Sequence, residues 1–393
     1  MAITMERKSA GIRALRITLL GVLCCGIGCL GVAASAHAQK AGVAPEDNAK
    51  SAAHAQEIPV SRVTVGDPRD VADGMNLAGA FMPLACTPEG GVFKAAMVAP
   101  QYDIQINGVW IEKPGERIHL DVGRVPGFSS LWFRGVSVNG DEIAVMAFGQ
   151  EAVTTVTTGE KPESQAYMLV FDRQGGFVKS IELHLSFTPY HFAVLRSGDF
   201  VMTGVDEGNK VPKAAVVSTG GEVIAYVDMG LETQDAYAKS YGQISLGAAA
   251  DAADAASRAV TGISRNDDMS KLGLQQLIPA GDDVLLLSPF TALPVIEVGD
   301  AGVVRTTKIQ TPKGMRVDGL IAGGSRWLVM LTGGPLAQRY SYYEVSSSTG
   351  EVLRKYEMPE KFEPVCATEE SLIGFTAGTG DRKGKMELLL GQW

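Results

Sequence analysis

Histidine and cysteine are scarce in this chain, five of each among 393 residues, and charged side chains make up only 20% of it. Three of the cysteines, Cys24, Cys25 and Cys29, fall within the first 38 residues, which leaves Cys86 and Cys366 for the rest. The sequence has no G-x-S-x-G elbow, no H-E-x-x-H pair and no P-loop, so serine-hydrolase, zincin and nucleotidase readings lack their usual support. Its one G-x-G-x-x-G match, Gly26 to Gly31, lies in an apolar N-terminal run and is an accident of composition. Beyond that run no apolar stretch reaches the roughly 20 residues that span a bilayer. Basic residues do not predominate either: the net charge is −9, which argues against nucleic acid or an anionic membrane as a partner.

The N-terminus reads as a secretory signal. Arg7, Lys8, Arg13 and Arg16 form a basic region, an apolar run follows from Ile17 to about Val32, and Ala36-His37-Ala38 is a small-x-small cleavage site. Cleavage before Gln39 removes four basic residues and Glu6 and takes the net charge from −9 to about −12. The alternative is an uncleaved membrane anchor. Export places the chain in the periplasm or outside the cell, where Cys86 and Cys366 are a candidate disulfide. Residues 39–56 are alanine-rich, polar and aperiodic, and read as a disordered linker.

What the chain has in plenty is glycine, 46 residues, together with short alternating apolar runs, a composition suited to turn-rich β structure. One phrase recurs. Phe171-Asp172-Arg173-Gln174-Gly175-Gly176 leads into Phe177–Leu183, Val217-Ser218-Thr219-Gly220-Gly221 into Glu222–Met229, Val298-Gly299-Asp300-Ala301-Gly302 into Val303–Ile309, and Ser346-Ser347-Ser348-Thr349-Gly350 into Glu351–Met358. Each is a hairpin turn feeding a strand of period two, and the copies recur at about the 45-residue spacing of a four-stranded blade. Each phrase opens with two apolar strands about a tight polar turn. Six such openings stand near Leu84–Phe93, Gly135–Val145, His191–Thr203, Leu277–Leu287, Gly319–Leu331 and Val365–Phe375.

Six openings predict six blades, an all-β propeller over residues 57–393. The last blade is one strand short at Met386–Trp393, and Ile58–Val65 resembles the missing outer strand; docking it there closes the ring and removes two exposed edges. One interruption, residues 232–271 between blades three and four, is dense in alanine and predicted helical. It reads either as a lid over one rim or as a tolerated surface insertion.

The glycine-punctuated phrase, the six openings and the borrowed N-terminal strand resemble the extracytoplasmic six-bladed propellers related to NHL-repeat and TolB-like proteins. The resemblance covers nearly all of residues 57–393. The WD dipeptide and the double-glycine pattern of kelch blades do not recur. Members of the resembled group range from binding scaffolds to metal-dependent lyases and hydrolases, so the resemblance implies a fold and leaves the function open.

Propeller ligands bind at the channel mouth, formed by the innermost strands. Aligning the six openings on their first turn puts Pro83, Arg134, His191, Gln275, Asp318 and Glu363 at one level. Five are polar, the makings of a small-molecule site, although channel mouths are wet and such residues are also found merely solvated. Arg134 is suited to clamping a carboxylate or phosphate, and His191 with Asp318 or Glu363 to acid–base chemistry or to holding calcium or zinc. His119 and His184 fall on predicted outer strands, and His54 in the linker. Cys86 and Cys366 align at equivalent positions of the first and last openings; a bond between them would staple the closure, and two buried free thiols are the alternative. The leading expectation is a monomeric binding or interaction scaffold without cofactor, for an unknown small molecule or envelope protein. The alternative is a metal-assisted lyase or hydrolase using His191, Asp318 and Glu363.

Overall fold

The computed structural model describes residues 56–57, 60–63, 85–87, 90–98, 103–110, 116–122, 125–151, 164–233, 235–236, 275–289, 291–333, 340–358, 362, 364–377 and 386–393. Their strands form six sheets. Near the start of the chain lie β1 (Gln56–Glu57) and β2 (Val60–Val63). Sheet one holds β3 (Ala85–Cys86), β4 (Gly91–Val98), β5 (Asp103–Trp110) and β6 (Glu116–Leu120). Sheet two holds β7 (Phe128–Asn139), β8 (Glu142–Glu151), β9 (Gln165–Asp172) and β10 (Phe177–Glu182). Sheet three holds β11 (Thr188–Val194), β12 (Phe200–Asp206), β13 (Val211–Val217) and β14 (Val223–Tyr226). Sheet four holds β15 (Gln276–Ala280), β16 (Asp283–Leu287), β17 (Val295–Gly299) and β18 (Gly302–Thr307). Sheet five holds β19 (Arg316–Gly323), β20 (Arg326–Thr332), β21 (Ser341–Ser346) and β22 (Val352–Glu357). Sheet six holds β23 (Pro364–Ala367), β24 (Ser371–Ala377) and β25 (Met386–Gln392).

Within each sheet the strands run antiparallel in chain order, and the first strands lie beside one another in succession, β3, β7, β11, β15, β19 and β23. This is the arrangement of a β-propeller. The second strands are apolar on both faces because each is covered twice, and period two decides which residue meets which neighbour. In β8, Ile143, Val145 and Ala147 pack with Phe93 and Ala95 of sheet one, whereas Ala144 and Met146 pack with Phe200 and Met202 of sheet three. The same alternation joins Val201 and Val205 to Val284 and Leu286, then Leu285 and Leu287 to Trp327, Val329 and Leu331, then Leu328 to Leu372. Five apolar seams result among the described residues.

The recurring turn phrase does more than reverse the chain. Asp172 Oδ1 accepts the N–H groups of Gln174 (2.9 Å) and Gly176 (2.8 Å), and Ser218 Oγ those of Gly220 and Glu222 (both 3.2 Å), so a side chain fixes each turn. Gly175 and Gly221 adopt φ of 87° and 90°, and a Cβ on either would run into a backbone carbonyl of the preceding sheet, that of His119 or of Glu182. The glycine carbonyl also serves as a dock: the His184 N–H donates to Gly221 O at 3.0 Å, and the Gln310 N–H to Gly350 O at 2.8 Å. Glycine recurs here because successive sheets touch backbone to backbone.

Sheet six is completed from the far end of the chain. Val60–Val63 pairs antiparallel with β25, Val60 opposite Gly391 and Val63 opposite Leu388, and so supplies the outer strand. Gln56–Glu57, whose first residue the sequence assigned to the linker, instead adds to the edge of sheet five, parallel to Tyr356–Glu357. The expected signal at 1–38 and the rest of the linker lie outside the described residues. Of the expected insertion at 232–271, residues 232, 233, 235 and 236 are described; there Thr233 Oγ1 accepts the Ala236 N–H at 3.1 Å, as an N-cap does, and 235–236 are helical. Among the described residues no helix is long and apolar enough to cross a membrane.

Candidate ligand-binding site

Three of the first strands, β7, β11 and β19, carry a β-bulge at the level of the expected polar ring. In β7 the ladder passes from Phe133 to Gly135 with Arg134 in the bulge; in β11 it passes over Tyr190, and in β19 over Asp318. Counted back from the first turn, Arg134, Tyr190, Gln275 and Asp318 are equivalent, and His191 is one residue out of step. A single extra residue reverses which face a side chain takes. His191 sits opposite Thr203, and Thr203 opposite Ala214, which belongs to the apolar seam with sheet four. Tyr190 lies in the bulge level with Arg134, its ring also packed against the apolar seam with sheet four, and His191 follows it opposite Thr203.

Gln275, just before β15, is 2% exposed, so it is a buried side chain. Its neighbour Gln276 donates from Nε2 to the carbonyl oxygen of Asp318 at 3.4 Å and ties sheets four and five at this level. The Asp318 carboxyl is half-buried. Burial raises its pKa above the ordinary value, and a hydrogen bond with Tyr340, which works in the opposite direction, does not cancel the rise. Pro83 and Glu363 lie outside the described residues. Among the described residues no three His, Cys, Asp or Glu side chains gather as a metal site would need.

Arg134 is held by aromatic rings. Its guanidinium carbon lies 5.4 Å from the centroid of Phe148 and 5.4 Å from that of Tyr190 in the next sheet, within cation–π range of both. Trp132 stands opposite Phe148 in the ladder and is 53% exposed, so an indole, a phenyl ring and a guanidinium share one end of sheet two. Sequence reasoning missed Trp132, Phe148 and Tyr190. The available signal was length: β7 and β8 run 12 and 10 residues, while β11, β12, β15 and β16 have 5 to 7, so this hairpin extends past its neighbours.

Two other clusters were within reach of sequence. Cys86 and Cys366 face each other with Cα atoms 5.8 Å apart and sulfurs within bonding distance. They are not equivalent, as the alignment had them. Cys86 pairs with Val92, one residue beyond the hairpin end at Gly91, and Cys366 with Ile373, two beyond Ser371. The one-residue offset puts them on opposite faces of their sheets and so aims them at each other across the junction. The histidines set aside as surface residues are exposed: His119 lies in β6 with Nε2 3.2 Å from Asp103, while His184 stands just after β10 and not within it, 3.7 Å from Glu222.

At the seam between sheets five and six Arg326 anchors Trp393. Arg326 Nε donates to Glu344 Oε1 (2.9 Å), Nη1 to the Trp393 carbonyl (2.8 Å) and Nη2 to the Tyr356 hydroxyl (3.1 Å), which in turn donates to Glu344 Oε2 (2.7 Å). The guanidinium also stacks 4.4 Å from the Trp393 ring. Burial alone would raise the pKa of Glu344, but the hydrogen bonds from Arg326 and Tyr356 outweigh it and hold the carboxyl below its usual range.

No protein-family model matches the chain, and no curated protein does. Among solved structures it is similar to virginiamycin B lyase from Staphylococcus aureus, at 11% identity and a TM-score of 0.40 over 86% of this chain and 100% of that one. It is also similar to a sialidase from Trypanosoma rangeli, at 8% identity and a TM-score of 0.39, over 85% of this chain and 59% of the sialidase. Prp20p from Saccharomyces cerevisiae is a third such structure, at 9% identity and a TM-score of 0.37, over 86% of this chain and 92% of that one. At these scores the likenesses bear on no residue of this chain, and the architecture rests on its own sheets.

Proposed function

We propose that this chain is an exported six-bladed β-propeller, of the kind represented by NHL-repeat and TolB-like proteins, which acts outside the cytoplasm as a binding scaffold. Its ligand sits at the end of the channel where the first strands begin, on the Trp132–Arg134 side of sheet two. The observation that carries this reading is the half-buried guanidinium of Arg134 between the rings of Phe148 and Tyr190, beside an exposed Trp132. An exposed indole offers a flat apolar surface, and a guanidinium pre-set by two rings loses little freedom when it meets an anionic or polar group. Export agrees with the basic and apolar N-terminus, and the facing cysteines are proposed to be bonded there.

The test is a fluorescence titration of the purified chain against small carboxylates and neutral sugars. Trp132→Ala is expected to abolish the response and Arg134→Gln to weaken carboxylates selectively; a response unchanged by both substitutions would move the site elsewhere. Stoichiometric calcium or zinc in the purified protein, lost in His191→Ala, would replace the binding-only reading with the metal-assisted one.

A further inference from the structure

The seam between sheets one and two offers a template for its neighbour. Phe93, Gly108 and Glu116 stand in one row across sheet one. Arg173, from the β9–β10 turn of sheet two, lies over that row: its guanidinium is 4.9 Å from the Phe93 ring centroid and its Nε 3.2 Å from Glu116 Oε2, while Nη1 donates to Gly140 O at 3.0 Å. One sheet further on, the corresponding row is Ala144, Val170 and Lys179. The residue that follows the turn-fixing side chain, Arg173 after Asp172, is there Thr219 after Ser218. A threonine does not reach across, and a cavity of about 240 Å³ opens between sheets two and three, lined by Ala144, Val170, Lys179 and Thr219 above a buried floor of Ile181 and Phe200.

We infer that this cavity is a second binding site, distinct from the Arg134 region and independent of it, for an aliphatic carboxylate. The alkyl stem lies where the stem of Arg173 lies in the preceding seam, and the carboxylate meets Lys179. The charge of the occupant is reversed because Lys179 stands where Glu116 stands in the template. Lys179 is an exposed side chain that lines the cavity. Glu142 on the rim disfavours a second negative group, which limits the occupant to a monocarboxylate.

Binding of n-pentanoate to the purified chain, followed by saturation-transfer NMR with n-pentylammonium as the charge-reversed control, tests this. Pentanoate is expected to bind about five-fold more tightly than the amine, the factor that one partly exposed ion pair supplies. Lys179→Glu, a change at an exposed side chain, should invert that preference. Lys179→Glu with Thr219→Arg rebuilds the Arg173–Glu116 pair, fills the cavity, and should abolish binding of both compounds. No saturable pentanoate binding up to about 10 mM, equal binding of acid and amine, or a preference unmoved by Lys179→Glu would each overturn the assignment. Should the double variant fold poorly, the single variant decides alone.

Discussion

Among the described residues, apolar clusters mark five of the junctions between successive sheets, and a pair of cysteines marks the junction between sheets six and one. The five arise from a rule each sheet can follow by itself: alternate residues of a second strand face alternate neighbours. The sixth obeys the same parity, since Cys366 lies opposite Ile373 and Cys86 opposite Val92, but its partners are 280 residues apart. Bringing such distant segments together costs chain entropy that the neighbouring junctions, formed by consecutive sheets, do not incur. A crosslink acts on that term directly, by restricting the unfolded chain.

The sharpest way to break the comparison is to cut the sixth junction. Cys86→Ser, Cys366→Ser and the double variant should each lower unfolding free energy in urea by the same amount, about 5 kcal/mol, the upper end of what a crosslink supplies. Reductant should bring the unmodified chain to the same level and leave the variants unmoved. Additive single substitutions, or no response to reductant, would mean that the sixth junction is held by packing like the rest.

Arg326→Ala comes next, at the seam between sheets five and six. It leaves Glu344 and the Tyr356 hydroxyl short of their partner in a mostly buried setting, with an expected loss of about 3 kcal/mol. Arg326→Lys should rescue little, since one ammonium cannot reach Glu344, Tyr356 and Trp393 together. The pH dependence identifies the mechanism. Because the folded-state pKa of Glu344 is depressed, its contribution is fully present above the ordinary carboxylate pKa and fades as pH falls toward the depressed value. Urea titrations at several pH values should show that acid-dependent loss in the unmodified chain and a flatter profile in Arg326→Ala.

A smaller effect tests the backbone dock. Gly221→Ala combines a left-handed φ of 90° with a collision against the Glu182 carbonyl, for an expected loss of about 2 kcal/mol. Gly140→Ala, at φ 54° with open space around it, should cost only about half as much. Equal melting temperatures for the two would show that the turn phrase merely reverses the chain.

The repeat was legible because its punctuation is chemical: Asp172, Ser218 and Ser346 with their glycines mark a turn that only a few residue types can make. The N-terminal strand was legible for the same reason, as an outer strand without a sheet. The site was less so. The β11–β12 turn holds one residue more than its counterpart, Leu195 to Asp199 against Asn139 to Glu142, without any compositional mark, so aligning on the turn placed His191 level with Arg134 when the ladder places Tyr190 there. The same blindness hid the offset between Cys86 and Cys366. Side-chain environment was out of reach altogether: nothing in the local sequence announces that Gln275 is buried or that the β7–β8 hairpin leaves Trp132 exposed.

Arg134 in sheet two and Asp318 in sheet five occupy equivalent bulges three seams apart, yet their surroundings differ. The charge of Arg134 is met by two rings, while burial works against the charge of Asp318. With its folded-state pKa raised, Asp318 keeps a proton that the unfolded chain has already lost as pH climbs past the ordinary value. Stability therefore falls through that window, and above it the ionised carboxylate remains a fixed destabilising contribution. Asp318→Asn should accordingly raise the melting temperature at neutral pH, by less than any of the losses above, and the gain should vanish in acid, where the native side chain is itself neutral. A substitution that destabilises at neutral pH would mean that the Tyr340 hydrogen bond requires the charged form, and would make Asp318 a structural anchor of the mouth instead of a strained group held there at the expense of stability.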